Sequence, residues 1–173
     1  KGGLKFTDVT NATKIPQDSG WSTGVSVVDI NNDGLLDIYV CKVGHYKSLN
    51  GRNELLICQG VNKDGIPSYK DEAAKYGLDF SGFSTQAAFL DYDGDGDIDL
   101  VLCNQGEKPF LYKNIKKSGN FANFTFTSKT NKTAIGVKLI VEDDNAVRIF
   151  ENNTAKGYQS ASEGMIHVGL GEK

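Results

Sequence analysis

Short apolar runs separated by turn-forming residues punctuate this chain from end to end. VSVV (25–28), IYVC (38–41), ELLIC (54–58), AAFL (87–90) and LVLC (100–103) are rich in β-branched and large apolar residues, and each is short enough for a strand. PFLYKN (109–114) predicts another. From residue 121 the texture changes: FANFTFTSKT (121–130) alternates aromatic and polar positions, the period of a half-buried strand. IGVKLIVE (135–142), AVRIFEN (146–152) and MIHVGLG (165–171) continue as predicted strands, with Asp143-Asp144-Asn145 as a hairpin turn between two of them. Lys63-Asp64-Gly65 predicts a turn, and residues 70–76 predict a helical turn or short helix ended by Gly77. The pattern predicts an all-β chain of propeller-blade-like antiparallel sheets. It divides near residue 120 into a repeat-containing part (1–120) and a small C-terminal β module (121–173).

The strands carry an internal repeat. VSVVDINNDGLLDIYVC (25–41) and AAFLDYDGDGDIDLVLC (87–103) share an apolar run, an Asp-rich loop, a second apolar run and a final Cys, and Asp91 follows Asp29 by 62 residues. That period suits a unit of about four short strands, as in a propeller blade. The first loop places Asp29, Asn31, Asp33 and Asp37 in the frame D-x-N-x-D-G-x-x-D. The second places Asp91, Asp93, Asp95 and Asp99 in D-x-D-x-D-G-x-x-D. Oxygen donors at alternate positions converge when the chain curls around an ion, and the Gly after the third donor permits the bend. A backbone carbonyl, from Leu35 in one loop and Asp97 in the other, completes a set suited to calcium, which takes about six to eight oxygens. Loop two holds five carboxylates within nine residues, whose mutual repulsion a divalent cation reverses. The loops are not EF-hands: the twelfth position, which needs Glu, is Val40 in one and Leu102 in the other, and the flanks are strand-like. The expected cofactor is Ca2+ at two sites. A bare Asp-Gly turn is the plain alternative, and matched loops argue against it. A catalytic carboxylate pair needs two different environments, whereas these Asp residues share one ligand-like frame. The chain is therefore not expected to be an enzyme.

The remaining composition adds limits. The formal net charge of −3 carries no nucleic-acid footprint. No apolar stretch approaches the ~18 residues of a membrane span, and the start at Lys1, with no signal peptide in the sequence, is expected of a mature or excised piece. The three cysteines, Cys41, Cys58 and Cys103, leave open one disulfide with a free thiol or three buried strand thiols. His45 and His167 show no evident Ser or Cys partner. Trp21, Tyr39, Tyr46 and Phe83 read as packing residues before they read as a sugar platform. Sequons at Asn11, Asn123, Asn131 and Asn152 are candidate glycosylation sites.

At the two loops the chain resembles FG-GAP/VCBS repeats, the calcium-loop repeats of integrin-α-like β-propellers. The resemblance covers about 4–113 and is carried by FTDVT (6–10), GVSVVDINNDGLLDIYV (24–40), NELLICQG (53–60) and FSTQAAFLDYDGDGDIDLVLCN (83–104). The second part resembles the ASPIC/UnbV module through AIGVKLIV (134–141) and GYQSASEGMIHVGLG (157–171). The resemblance implies an extracellular or cell-surface protein with structural calcium, in adhesion or binding of a protein or glycan partner. Its loop ligands fall on Asp29, Asn31, Asp33, Leu35 and Asp37, and on Asp91, Asp93, Asp95, Asp97 and Asp99. A closed propeller needs more blades than two repeats supply, so a protomer or tandem unit of a self-assembling surface fibre is the alternative.

Overall fold

A computed structural model describes residues 3–17, 20–117, 119–142, 147–157, 160–161 and 164–172. A short helix α1 (Thr10–Thr13) precedes the first repeat. That repeat folds into β1 (Trp21–Val28), β2 (Asp37–Val43), β5 (Glu54–Val61) and β6 (Pro67–Asp71), a four-stranded antiparallel sheet in that spatial order. A small hairpin of β3 (His45–Tyr46) and β4 (Leu49–Asn50) interrupts it between β2 and β5. The turn at 63–65 joins β5 to β6, with Asn62 Oδ1 accepting from the amides of Asp64 and Ile66, both at 2.9 Å. Helix α2 (Ala73–Tyr76) follows and stops at Gly77, whose left-handed φ of 70° lets its amide reach back to the helix carbonyls.

The second repeat forms β7 (Ser84–Leu90), β8 (Asp99–Asn104) and β9 (Phe110–Tyr112), a three-stranded antiparallel sheet. The repetition extends to register. A bulge lies between Ser22 and Gly24 in the first sheet and between Ser84 and Gln86 in the second, 62 residues further on. Asp37 opposes Val28 and Asp99 opposes Leu90, so each Asp-rich loop spans the same end of its first hairpin.

The two sheets are joined by side chains bonding to backbone. Thr23 Oγ1 donates to Ser84 O and Ser26 Oγ to Ala87 O, both at 2.7 Å. The constant sequence offset shows that β1 and β7 run side by side in the same direction. Ser26 is buried, so Ser26→Ala is expected to cost about 1 kcal/mol. Urea unfolding measures it, and an unchanged midpoint would show that this bond does not hold the sheets together. Between the sheets lies the core: Tyr39, Cys41, Leu55, Ile57, Leu78, Ala87, Leu100 and Leu102, with Ala73 of α2. The Tyr39 hydroxyl is satisfied by Leu78 O at 2.9 Å, and its ring meets Phe89 edge-on.

Beyond residue 120, β10 (Asn120–Thr125) pairs with β15 (Met165–Gly171), and β11 (Lys138–Glu142) with β12 (Val147–Glu151). A third pair is β13 (Ala155–Gly157) with β14 (Ser160–Ala161). The predicted turn at Asp143-Asp144-Asn145 lies outside the described residues. β13 touches β1 and β14 touches β7, so the C-terminal strands lie against the first strands of both repeats.

The structure corrects three expectations. Cys41 and Cys58 are buried thiols, but Cys103 is exposed because its side chain faces outward from β8. Trp21 is 53% exposed and packs edge-on against the exposed Tyr46, whereas Tyr39 sits in the core; the aromatics do not form one packing group. His45 does have a serine partner: Nε2 lies 3.1 Å from Ser81 Oγ and Nδ1 3.2 Å from Asn50 Oδ1, on the exposed β3–β4 hairpin. The loop that brings Ser81 there follows α2, so the pairing depends on tertiary placement.

Candidate metal centre

Each Asp-rich loop first organises itself. In loop two, Asp91 Oδ1 accepts from Gly94 N at 2.9 Å and Oδ2 from Gly96 N at 3.0 Å. Gly94 and Gly96 adopt φ of 74° and 89°, a left-handed backbone in which a side chain is strained. Asp95 Oδ1 accepts from Asp97 N at 3.1 Å. Asp99, the first residue of β8, takes one hydrogen bond from Tyr92 N at 3.1 Å and one from Asn114 N at 2.7 Å. Loop one repeats the scheme. Asp29 accepts from Asp33 N at 3.1 Å and Gly34 N at 2.8 Å, and Asp33 from Leu35 N at 2.8 Å. Asp37 accepts from Ile30 N at 3.2 Å and Cys58 N at 2.7 Å. Backbone amides thus hold the outer Asp residues of both loops with carboxylate lone pairs to spare.

The donor set fits calcium best in loop two. Asp91, Asp93 and Asp99 each place an oxygen within 4.8 Å of the others. Calcium–oxygen bonds of about 2.3–2.6 Å put ligands on opposite sides of one ion about that far apart. Asp95 and the Asp97 carbonyl lie on the same loop. Among the described residues this is the one group of three acidic, His or Cys side chains with such spacing. Loop one has the neutral Asn31 where loop two has Asp93, and Asn31 Nδ2 donates to Asp33 Oδ2 at 2.9 Å. Its Asp29, Asn31, Asp33, Leu35 and Asp37 keep the sequence frame without forming such a trio of carboxylates.

Burial acts on the inner carboxylates. Desolvation raises the Asp29 pKa to about 6, with the Asp33 charge adding to the rise and the Gly34 amide opposing it. Asp37, fully buried, is raised to about 7 for the same first reason, against the amides of Cys58 and Ile30. Asp99 moves upward as well, chiefly by burial. Asp93, at the rim, is lowered by its hydrogen bond to Lys113. An unfolded Asp titrates near 3.9. In chelator Asp29 and Asp37 therefore hold more protons in the folded protein than in the unfolded chain between about pH 4 and pH 7, and the stability that they contribute is expected to fall as pH rises through that window, with His167 opposing them near its upper end. Calcium favours the ionised ligands, so its affinity is expected to rise over the same range. Melting temperature against pH, with and without calcium, checks both signs; parallel curves would contradict them.

The residue between the sequence-predicted ligands, Asn32, is the one that pattern reading missed. It is 1% exposed with φ of 58° and stands in the place of Gly94. Its Nδ2 reaches Gly96 O at 3.4 Å and Asp97 Oδ1 at 3.5 Å, so it ties loop one to loop two. Its Oδ1 lies 2.6 Å from His167 Nε2, and its carbonyl accepts from Gly171 N at 2.7 Å, so it also ties both loops to β15. His167 Nδ1 in turn lies 2.7 Å from Asn123 Oδ1 on β10. Burial pulls the His167 pKa down, while Asp91 and Asp97 push it up. Gly169 allows the contact, since a Cβ there would sit 2.6 Å from Asn32 Cα. On the other flank Arg148 of β12 donates to Gly169 O at 2.7 Å and its charge lowers the Asp29 pKa.

Of the sequons, Asn11, Asn123 and Asn131 are exposed. Asn152 is buried, with its amide donating to Thr133 O at 2.9 Å and Ala134 O at 3.1 Å, which leaves no room for a glycan on the folded chain.

Paired antiparallel sheets with an acidic loop closing each first hairpin define a β-propeller-like repeat protein. The FG-GAP-like repeat family model matches residues 1–40, and that of ASPIC and UnbV matches residues 127–173. The chain is thus similar to an FG-GAP-like repeat in its first part and to an ASPIC/UnbV module in its last. Both families are generally non-catalytic repeat or structural domains, and FG-GAP repeats are typically extracellular. No curated protein matches the chain. No helix is long and apolar enough to cross a membrane among the described residues.

Proposed function

We propose that this chain is a calcium-stabilised, non-catalytic extracellular domain that presents a surface to a protein or glycan partner at the cell surface. The observation that carries it is the convergence of Asp91, Asp93 and Asp99 at the spacing of one ion. Loop two takes Asp91, Asp93, Asp95, Asp97 and Asp99, the fourth through its carbonyl. Loop one takes Asp29, Asn31, Asp33, Leu35 and Asp37 by the same scheme. The role of the ions is mechanical: each clamps the two strands of a hairpin and cancels the repulsion of its carboxylates. The partner-binding role is supported by the FG-GAP-like match. Residue 120 stands as the boundary between repeats and module, and Asn11, Asn123 and Asn131 as the glycan acceptors. Calorimetric titration with calcium tests the reading, with two ions per chain expected and no uptake sinking it.

The fibre alternative draws on β6, the end of the first sheet away from β7, and on the exposed Val25 and Val27 of β1. Monodisperse particles by electron microscopy at neutral pH and high protein concentration would dispose of it.

A further inference from the structure

The two loops differ in the cation that the chain itself supplies. β9 pairs with β8 so that Tyr112 opposes Leu100, which sets the next residue, Lys113, beside the acidic loop that ends at Asp99. Asn114 pins this arrangement from the other side, its backbone amide bonding Asp99 Oδ1 at 2.7 Å and its side chain Ile98 O at 3.4 Å. Between these anchors the Lys113 ammonium pairs with Asp93 Oδ2 and lies 3.5 Å from Asp95 Oδ2. Asp93 is one of the converging trio, so the amine sits on a ligand oxygen. The lysine is 44% exposed, and its flexible stem can swing the charge into water without opening the core.

Loop one is built differently. Its counter-charge is Arg148, whose guanidinium is fixed to Gly169 O at 2.7 Å and lies over Gly34. Its counterpart of Asp93 is the neutral Asn31, which supplies its own donor to Asp33. Loop two therefore carries more negative charge and meets it with a mobile amine, whereas loop one carries less and meets it with a held guanidinium.

We propose that Lys113 is a tethered counter-ion that occupies loop two in the metal-free protein and is displaced by a divalent cation, which lowers the affinity of loop two for calcium. The inference rests on the calcium reading above. A ligand that must first expel an occupant binds with an affinity reduced by the fraction of protein in the open state. The device keeps the acidic cluster folded when calcium is scarce and makes loop two the site that responds to its concentration.

Titration of the whole chain with calcium, comparing wild type, Lys113→Gln and Lys116→Gln, tests it. Lys116 is exposed and also follows β9, and among the described ion pairs Lys113 and not Lys116 meets the loop-two carboxylates, so its variant removes the same charge without removing that pairing. Lys113→Gln is expected to bind calcium about tenfold more tightly at one of two sites, and Lys116→Gln to change it less than about twofold. In chelator, Lys113→Gln is expected to melt below both other proteins, since its carboxylates lose their cation. Equal affinities for the two variants, with normal calcium uptake, would overturn the tethered-ion role and leave the calcium reading standing. Failure of all three proteins to take up calcium would overturn both.

Discussion

In millimolar calcium the wild-type chain is expected to unfold at a clearly higher temperature than in chelator, and Asp99→Asn or Asp37→Asn to remove much of the gain. An ion that binds only the folded state stabilises it by RT ln(1 + [Ca]/Kd), about 2.7 kcal/mol per site at a hundredfold excess. At roughly 2–4 °C per kcal/mol for a chain of this size, each site contributes on the order of 5–10 °C. Asp99 and Asp37 are the right places to cut because each holds its loop closed with two backbone hydrogen bonds while offering charge to the ion. The Asn variants keep shape and one acceptor. Burial already disfavours the charge at both positions, so in chelator the variants lose chiefly the one backbone hydrogen bond that the amide nitrogen cannot accept, about 1 kcal/mol, and the further loss in calcium reports the ion. Magnesium, which needs a tighter octahedral shell and keeps more water, is expected to give a smaller rise. Scanning calorimetry in calcium, magnesium and chelator measures this. Equal losses for the variants in calcium and chelator would show that the loops are bare turns.

The second large effect is expected at Asn32. Asn32→Gly keeps the left-handed backbone and removes the side chain, leaving His167 Nε2 and the polar groups around Gly96 and Asp97 without their buried partner. Each abandoned buried group costs about 1–3 kcal/mol, so a loss of about 3 kcal/mol is expected. Asn32→Ala adds the strain of a positive φ on a residue with a Cβ, a further ~1 kcal/mol. The loss should be local: amide exchange is expected to quicken at β10 and β15, which Asn32 anchors, more than at β7 and β8. Chemical denaturation gives the magnitude and hydrogen exchange the location. Uniform acceleration through the chain would mean that Asn32 supports the repeats and not the docking of the C-terminal strands.

The gap between reading and structure is clearest at Asn32 and Asn31. Asn31 fits a ligand frame, so spacing singles it out; Asn32 points the other way along the same loop, and its partners lie 64, 65 and 135 residues distant. No local pattern encodes those contacts. Lys113 is likewise an ordinary basic residue after a strand until β9 pairs with β8. Cys103 and Asn152 show the same limit in burial: one sits in an apolar run and faces out, the other sits in an acceptor motif and is covered.

Local interactions suffice for what the residue pattern settles by itself. Alternation and β-branched runs settle strands and an all-β class, and the 62-residue repeat settles two equivalent hairpins, while the matching bulges at Ser22 and Ser84 emerge only from the pairing of the strands. The Asp-Gly spacing settles where each loop bends, at the left-handed Gly34 and Gly96, because that turn is encoded within nine residues of chain. What only the tertiary structure decided is which of these groups meet: the bonds between β1 and β7, the trio of loop two, the amine upon it, and the seating of β15 on Asn32. Those depend on separations of tens to more than a hundred residues, where packing and not sequence spacing sets the distance.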